Sequence, residues 1–300
     1  MTDQVPDVVG VGRLTLDQVG VGPRVDDPDM ILTTSSIQAG GPTGTALATM
    51  AVLGAKTRFF GRLGDDPFGD LTLRHLSEFG VDTSIVLREP DKLSPTTYIL
   101  LEEEGRRRRF IRHAGTDVTP LEPADVPPSL FDGVRLVYFD AEMPAVQIAC
   151  AERARARGAR VLLGVRKVGQ GLGELLDLAD AVVVSERVAA EIAHSADMER
   201  SLVELVKMGP ETAVITLGDE GAIGLHEEKL VRQQAIDVEM VDITGAGSIF
   251  RGAFGYAMLQ GWPLERSLPF ATAAAGLGCT GIGAQGAIPT LQAVKRALGE

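Results

Sequence analysis

The chain has 300 residues, 45% hydrophobic and 23% charged, enough apolar material for a sizeable core. Its formal net charge of -12 argues against a nucleic-acid or anionic-membrane surface, and any anionic ligand would need a locally positive site. The two cysteines, Cys150 and Cys279, lack metal-type spacing and read as reduced thiols of a cytoplasmic protein; no targeting signal and no membrane span is visible. In chain order, the apolar run 7–12 ends in glycine and suits a buried strand feeding a loop. Residues 13–38 alternate irregularly and suit strands and turns of a small sheet. A helix is expected to open just after Gly40-Gly41, with Pro42 tolerated in its first turn and an Ala/Leu/Met-rich body over 43–53. Residues 57–63 read as a strand, Gly64-Asp65-Asp66-Pro67 as a turn, and 68–79 as a helix stopped at Gly80.

Two strand-like runs, 96–101 and 107–112, flank Glu102-Glu103-Glu104-Gly105, a hairpin signal. From there strands alternate with helices. The short β-type runs are 136–139, 160–163, 181–184 and 213–216, and helical stretches fall at 144–157, 171–178, 187–193 and 198–208. This alternation predicts βαβ units and a mainly parallel sheet covered by helices, whose ligands bind beyond the carboxyl ends of the strands. The strand patches near 13–38 and 94–114 fall outside that alternation and suggest an accessory sheet. No linker splits the chain, so residues 1–300 read as one unit.

The strongest local signal is Asp242-Ile243-Thr244-Gly245-Ala246-Gly247-Ser248-Ile249-Phe250. Residues 237–241 before it alternate acidic and apolar and read as a strand; the Ala/Gly/Leu stretch 250–259 after it has helical spacing. Glycines and small residues here let several N–H groups converge at a helix start, and such a nest binds an anion. Alone, Gly-x-Gly before a helix also suits a tight turn chosen for packing. No Gly-Lys-Ser/Thr follows, so it is not a Walker loop, and it lies near the C-terminus rather than after the first strand.

Asp242, Thr244, Gly245, Ala246, Gly247, Phe250, Gly252 and Ala253 resemble the C-terminal signature of the ribokinase (PfkB) family of carbohydrate kinases. Other segments resemble that family in the same order: Gly40-Gly41-Pro42 with Leu53-Gly54-Ala55, the glycine-rich stretch from Gly61 to Gly69, and Gly80-Val81-Asp82. Ile215 to Gly221, Gly283-Ala284 and Ile288-Pro289-Thr290 complete the set. The resemblance implies an α/β ribokinase-like fold, with helices on both faces of a mainly parallel sheet and a small β-sheet lid built from about 13–38 and 94–114. It implies ATP-dependent phosphorylation of a sugar or sugar-like hydroxyl, with ATP, Mg²⁺ and in some members a monovalent cation, and homodimers through the lid. Asp17, Gly40, Gly41 and Thr45 would hold the substrate. Thr216, Gly218, Gly221 and Thr244 would lie on the nucleotide side, and Gly245, Ala246 and Gly247 would form the anion hole. Glu186 is the candidate near Mg²⁺, and Asp242 is structural or near a monovalent cation. The Pro42 and Gly261-Trp262-Pro263-Leu264 features lean towards sugar kinases rather than adenosine kinases.

The resemblance breaks where the family keeps its catalytic Asp: that position is Ser248. A neutral hydroxyl positions a substrate but accepts a proton poorly. The signature Asn aligns with Thr45, an Asp motif with Gly164, and the Asn-x-x-Glu motif with Ser185-Glu186-Arg187-Val188, leaving Glu186 or Glu191 to serve. The expected function is therefore a carbohydrate kinase impaired at its base, and the alternative is a nucleotide- and sugar-binding pseudokinase with a regulatory role. Arg106 to Arg109, Arg112 and His113 read first as a solvated lid edge, with contact to an anionic substrate as the sharper reading.

Overall fold

The structure is a computed structural model that describes residues 5–27, 29–103, 108–112 and 118–300. The chain opens with β1 (Val8–Val11), β2 (Thr15–Gly22), β3 (Thr34–Gly40), α1 (Pro42–Val52), β4 (Thr57–Phe60) and β5 (Arg62–Gly64). Then come α2 (Pro67–Glu78), β6 (Leu87–Glu89), β7 (Thr96–Glu102) and β8 (Arg108–Arg112). The alternating part runs β9 (Leu136–Phe139), α3 (Pro144–Arg155), β10 (Arg160–Val165), α4 (Leu172–Leu178) and β11 (Ala181–Ser185), followed by α5 (Glu186–Ala193), α6 (Met198–Lys207) and β12 (Thr212–Thr216). A hairpin, β13 (Ala222–His226) and β14 (Lys229–Gln233), precedes α7 (Ala246–Leu259), α8 (Leu264–Gly278) and α9 (Leu291–Ala297).

Among the described residues the main sheet has eight strands in the order β14-β13-β12-β11-β10-β9-β1-β4. Its pairings from β4 to β12 are parallel, and the β13–β14 hairpin closes one edge antiparallel. Successive side chains on its central strands enter two different cores. Leu136, Tyr138, Leu162, Val183 and Val214 pack with residues of α1, α7 and α8. Val137, Phe139, Leu163, Val182 and Ile215 pack with residues of α3 to α6. A strand buried on both faces needs apolar residues at every position, so its sequence is a continuous run rather than an alternation.

Local chemistry places the helix starts. Pro42 opens α1 after Gly41 at φ 80°, and Asp66 caps α2 by accepting the Gly69 N–H at 2.9 Å. The expected strand 57–63 is broken at Gly61: β4 pairs with β1 of the main sheet, whereas β5 pairs with β6 in a separate ladder. The expected strand at 237–241 is corrected. These residues lie in no strand and are half to fully exposed, and Val241 and Asp242 instead donate backbone N–H groups to the Cys279 carbonyl. No neighbouring strand edge receives them, so alternation alone does not make a ladder.

A second sheet of four strands runs β3-β2-β7-β8, within the expected accessory segments. Its register puts Gln38, Asp17, Thr97 and Arg112 in one cross-strand row, and Ser36, Val19, Ile99 and Phe110 in another. The intervening row, Ile37, Gln18, Tyr98 and Ile111, faces the opposite side. Gln38 ties this sheet to the main body: its Nε2 donates to the Ile282 carbonyl at 3.2 Å, and its Oε1 accepts the Gln285 N–H at 2.7 Å. The tip of the expected hairpin at Glu104-Gly105, together with Arg106, Arg107, His113 and Ala114, lies outside the described residues.

Candidate active site

The inner face of the small sheet and the carboxyl ends of β1, β10 and β11 enclose a cavity of about 380 Å³, with the starts of α1 and α7 in its wall. This is where ligands of open α/β sheets collect. Of the expected site residues, Asp17, Gly41, Thr45, Thr244, Gly245, Gly247 and Ser248 line it.

The α7 end is built by one carboxylate and two glycines. Asp242, 3% exposed, accepts the Thr244 N–H at 2.9 Å and the Gly283 N–H at 2.8 Å, which fixes the loop shape. Gly245 caps α7 at φ 86°, and a Cβ there would stand 2.5 Å from the Ala284 Cα, so only glycine fits. At Gly247 a Cβ would meet only Arg251, at 3.6 Å, so that glycine leaves open space rather than avoiding a clash. The Ser248 and Ile249 N–H groups bond back to the Gly245 carbonyl, while the Gly247 N–H has no acceptor among the described residues. An unpaired N–H at a helix start beside open space has the chemistry to receive an anion.

The small-sheet end is built around Asp17. It is 5% exposed, accepts a 2.6 Å hydrogen bond from the Thr15 hydroxyl, and sits so close to Gly40 that a Cβ there would lie 2.0 Å from its Oδ2. Burial raises its carboxyl above the ordinary value, against the pull of Thr15 and of Arg13, Arg112 and Arg166. Two buried hydroxyls on the cavity wall, Thr45 Oγ1 and Thr244 Oγ1, have no hydrogen-bond partner. Buried polar atoms are rarely left unpaired, and these two hydroxyls are free to bond a ligand atom in the cavity.

Some expectations fall outside the cavity. Thr216 pairs with Ser185 one strand beyond the cavity edge, and its hydroxyl donates to the Val184 carbonyl at 3.3 Å. Gly218 (φ 66°) and Gly221 (φ 91°) follow it, away from the wall. Glu186, exposed at the start of α5, sits between the lining residues Ser185 and Arg187. Glu191 is held by Arg187 at 3.6 Å. Among the described residues no three His, Cys, Asp or Glu side chains cluster as metal ligands. A Mg²⁺ ion carried in on nucleotide phosphates typically takes one or two carboxylates and keeps its waters, so it does not require such a cluster.

Arg13, Arg166, Arg187 and Arg251 are what the sequence reading missed. Arg13, Arg108, Arg112, Arg166, Arg187 and Arg251 all line the cavity, against one carboxylate, Asp17. The described lid arginines, Arg108, Arg109 and Arg112, are exposed as a solvated edge requires, and two of them also line the cavity. Arg108 and Arg112 stand on the cavity side of β8 and stack on the Phe110 ring at 5.6 and 5.0 Å, whereas Arg109 takes the other face beside Leu100. Arg251 is 5% exposed; its Nη2 donates to the Val165 carbonyl at 3.1 Å and its Nε to the Val183 carbonyl at 3.4 Å. It has no ion-pair partner among the described residues, and burial pushes its pKa down. Gly164 makes room for it: a Cβ there would lie 2.6 Å from the Arg251 Cδ and 2.5 Å from the Tyr138 Oη. The available signal was that Arg251 is the one charged residue in the 14 residues of α7. Asp140 also escaped notice. It accepts from the Arg13 N–H, from Thr43 Oγ1 at 2.9 Å and from Gln147 Nε2 at 2.8 Å, locking the β1 loop to the start of α1.

A cavity between a glycine-nested helix start and a small covering sheet, at the ends of a parallel sheet, defines a ribokinase-like α/β fold. The structure of Arabidopsis thaliana ribokinase complexed with ribose and ATP matches it with a TM-score of 0.83 and 25% identity, covering 99% of this chain and 100% of that one. In sequence, ribokinase of Bacillus subtilis (strain 168) is 27% identical over 292 residues, 96% of this chain and 98% of its own. Aminoimidazole riboside kinase of Salmonella typhimurium (strain LT2) is 28% identical over 273 residues, 83% and 84% of the two chains. The model of the pfkB family of carbohydrate kinases matches residues 6–291, and the chain belongs to that family.

Proposed function

We propose that the protein transfers the γ-phosphoryl group of ATP to a hydroxyl of a sugar or sugar-like molecule. One observation carries this reading: a single cavity is lined both by Gly245 and Gly247 at the start of α7, the candidate anion nest with Ala246 between them, and by Asp17 of the small sheet. Asp17, Gly40, Gly41 and Thr45 hold the acceptor, with Gly40 sparing the Asp17 carboxylate a clash. Thr244 and the nest receive the transferring phosphoryl group, and Thr216, Gly218 and Gly221 carry the nucleotide from the neighbouring strand end. Bound Mg²⁺ offsets charge on the phosphates, with Glu186 the carboxylate at hand. Asp242 shapes the loop and contributes its oxygens to any monovalent cation there. The small sheet acts as a lid, and its outer row of Ile37, Tyr98 and Ile111, each about half exposed, serves as the surface of a homodimer. The free cysteines suit a reducing, cytoplasmic setting.

In the transfer an acceptor oxygen bonds to the γ-phosphorus as the bond to the β-phosphate oxygen breaks and ADP leaves. The acceptor proton needs a base. Ser248 lines the cavity at the place where a carboxylate would take it, and it offers only a hydrogen bond. Ser248→Asp is expected to raise phosphotransfer to a sugar panel about 10²–10⁴-fold, the usual worth of general-base catalysis. The same serine favours a second reading, a nucleotide- and sugar-binding protein without turnover. No gain in Ser248→Asp despite ATP binding by calorimetry decides for that reading.

A further inference from the structure

The cavity walls carry charge of one sign. Six arginines face one carboxylate, in a chain whose net charge is -12. They divide by position. Arg187 and Arg251 stand with the starts of α5 and α7, where a nucleotide's phosphates are expected. Arg13, Arg112 and Arg166 surround Asp17, with Arg166 also within electrostatic reach of Arg251, and Arg108 stands farther along β8 beside Leu101. Arg13, Arg112 and Arg166 all lie within electrostatic reach of the Asp17 carboxylate, and Arg13 and Arg166 both press on Arg112 with like charge.

The register of the small sheet fixes this grouping. Asp17 pairs with Thr97 and Thr97 with Arg112, so Arg112 faces the cavity in Asp17's own row, two strands away. At ~4.8 Å per strand that is roughly 10 Å, the span of a small sugar derivative. Arg13, Arg112 and Arg166 form no ion pair among the described residues. Two other acids lie nearby: Asp140 accepts the Arg13 backbone N–H, Thr43 and Gln147, and Glu142 pairs with Lys167 at 3.3 Å, so neither forms an ion pair with these guanidinium groups. Three guanidinium groups around the Asp17 carboxylate leave an excess of positive charge there, and like charges held together repel unless an anion joins them. Guanidinium groups match the planar, multidentate geometry of phosphate and carboxylate, which a neutral sugar does not offer.

We propose that the acceptor is an anionic sugar, whose phosphate or carboxylate group is held by Arg13, Arg112 and Arg166 while Asp17 takes a hydroxyl of the same molecule. The inference rests on the kinase reading only in treating the small-sheet end as the acceptor end.

The test uses the full chain and isothermal titration. Ribose 5-phosphate is compared with ribose, gluconate with glucose, and inorganic phosphate serves as a control; ATP is titrated separately. An anionic sugar is expected to bind at least ten-fold tighter than its neutral counterpart. The two pairs distinguish phosphate from carboxylate as the recognised group. In Arg112→Gln, and independently in Arg166→Gln, that preference is expected to fall at least ten-fold while ATP affinity holds. Neutral sugars binding as tightly as anionic ones would overturn the proposal. So would arginine variants that lose ATP affinity and keep the sugar preference, since the cluster would then serve the nucleotide. So would inorganic phosphate matching the sugar phosphate, since the sugar would then add nothing. Absence of ATP binding in the unaltered protein would sink the kinase reading and leave the sugar comparison standing.

Discussion

A buried guanidinium that meets only carbonyl oxygens is costly, because its desolvation is not offset by an opposite charge. Arg251 is such a group, 5% exposed, and Asp17, 5% exposed with a raised carboxyl pKa, is its counterpart at the other end of the cavity. Both should weaken the ligand-free protein in return for binding. Arg251→Met, similar in length and uncharged, is expected to raise the ligand-free melting temperature, because it removes the desolvation of a charge with no ion-pair partner among the described residues. It should also shrink the thermal shift produced by saturating ATP. A lower melting temperature with an unchanged ATP shift would show that Arg251 is structural. For Asp17 the sign follows from proton uptake. Because its folded pKa is raised, the folded state holds more protons than the unfolded state between the two values, and stability falls as pH rises through that window. Asp17→Asn is therefore expected to raise the ligand-free melting temperature at pH 7. That gain should disappear on acidification below the ordinary Asp value of about 3.9. A gain that persists at low pH would assign it to packing instead.

At the scale of elements, the small sheet partly inverts the usual pattern. Its inner face sets polar residues such as Asp17, Thr97 and Arg112 over the cavity beside the apolar cluster of Val19, Ile99 and Leu101, and its outer row carries Ile37, Tyr98 and Ile111. Tyr98→Glu sets a charge at the centre of that outer row. If the row is a dimer surface, the variant should weaken dimerisation at least ten-fold by sedimentation while keeping ligand affinity; a dimer that persists has its interface elsewhere. The same inversion explains what could be read in advance. β9 to β12 were legible because burial on both faces demands unbroken apolar runs. β2 and β3 came through only as irregular patches, since β2 mixes Asp17 with Val19 on its inner face and buries Leu16 on the other, which leaves no clean alternation. Residues 237–241 had the right alternation and no partner edge, so they stayed irregular. The glycine loop was legible because its demands are local: Gly245 answers to its own φ of 86° and to Ala284. Arg13, Arg112, Arg166 and Arg251 come from separate segments, and only the topology makes them neighbours. Ser248 and Gly164 stood out against the family pattern, but what fills the space at Gly164 was hidden. Gly164 and Arg251, 87 positions apart, exchange space with each other.

At the scale of the whole molecule, two cores hold the main sheet rigid on both faces, and no helix among the described residues is long and apolar enough to cross a membrane. The cationic cavity therefore sits inside a body of net charge -12. Its consequence is kinetic. An anion approaching from bulk solvent meets repulsion first and attraction only within the last several ångströms. Screening acts on the distant field before the near one, with a Debye length of roughly 10 Å at 0.1 M salt. Added salt should thus speed the capture of ATP or a sugar phosphate, and speed its escape as well. Stopped-flow association rates that rise between low and moderate ionic strength are the expected signature; rates that fall would mean the arginines project their field beyond the cavity mouth. On this account the surrounding acidic surface works as a kinetic filter, slowing every polyanion and retaining those small enough to reach the arginines.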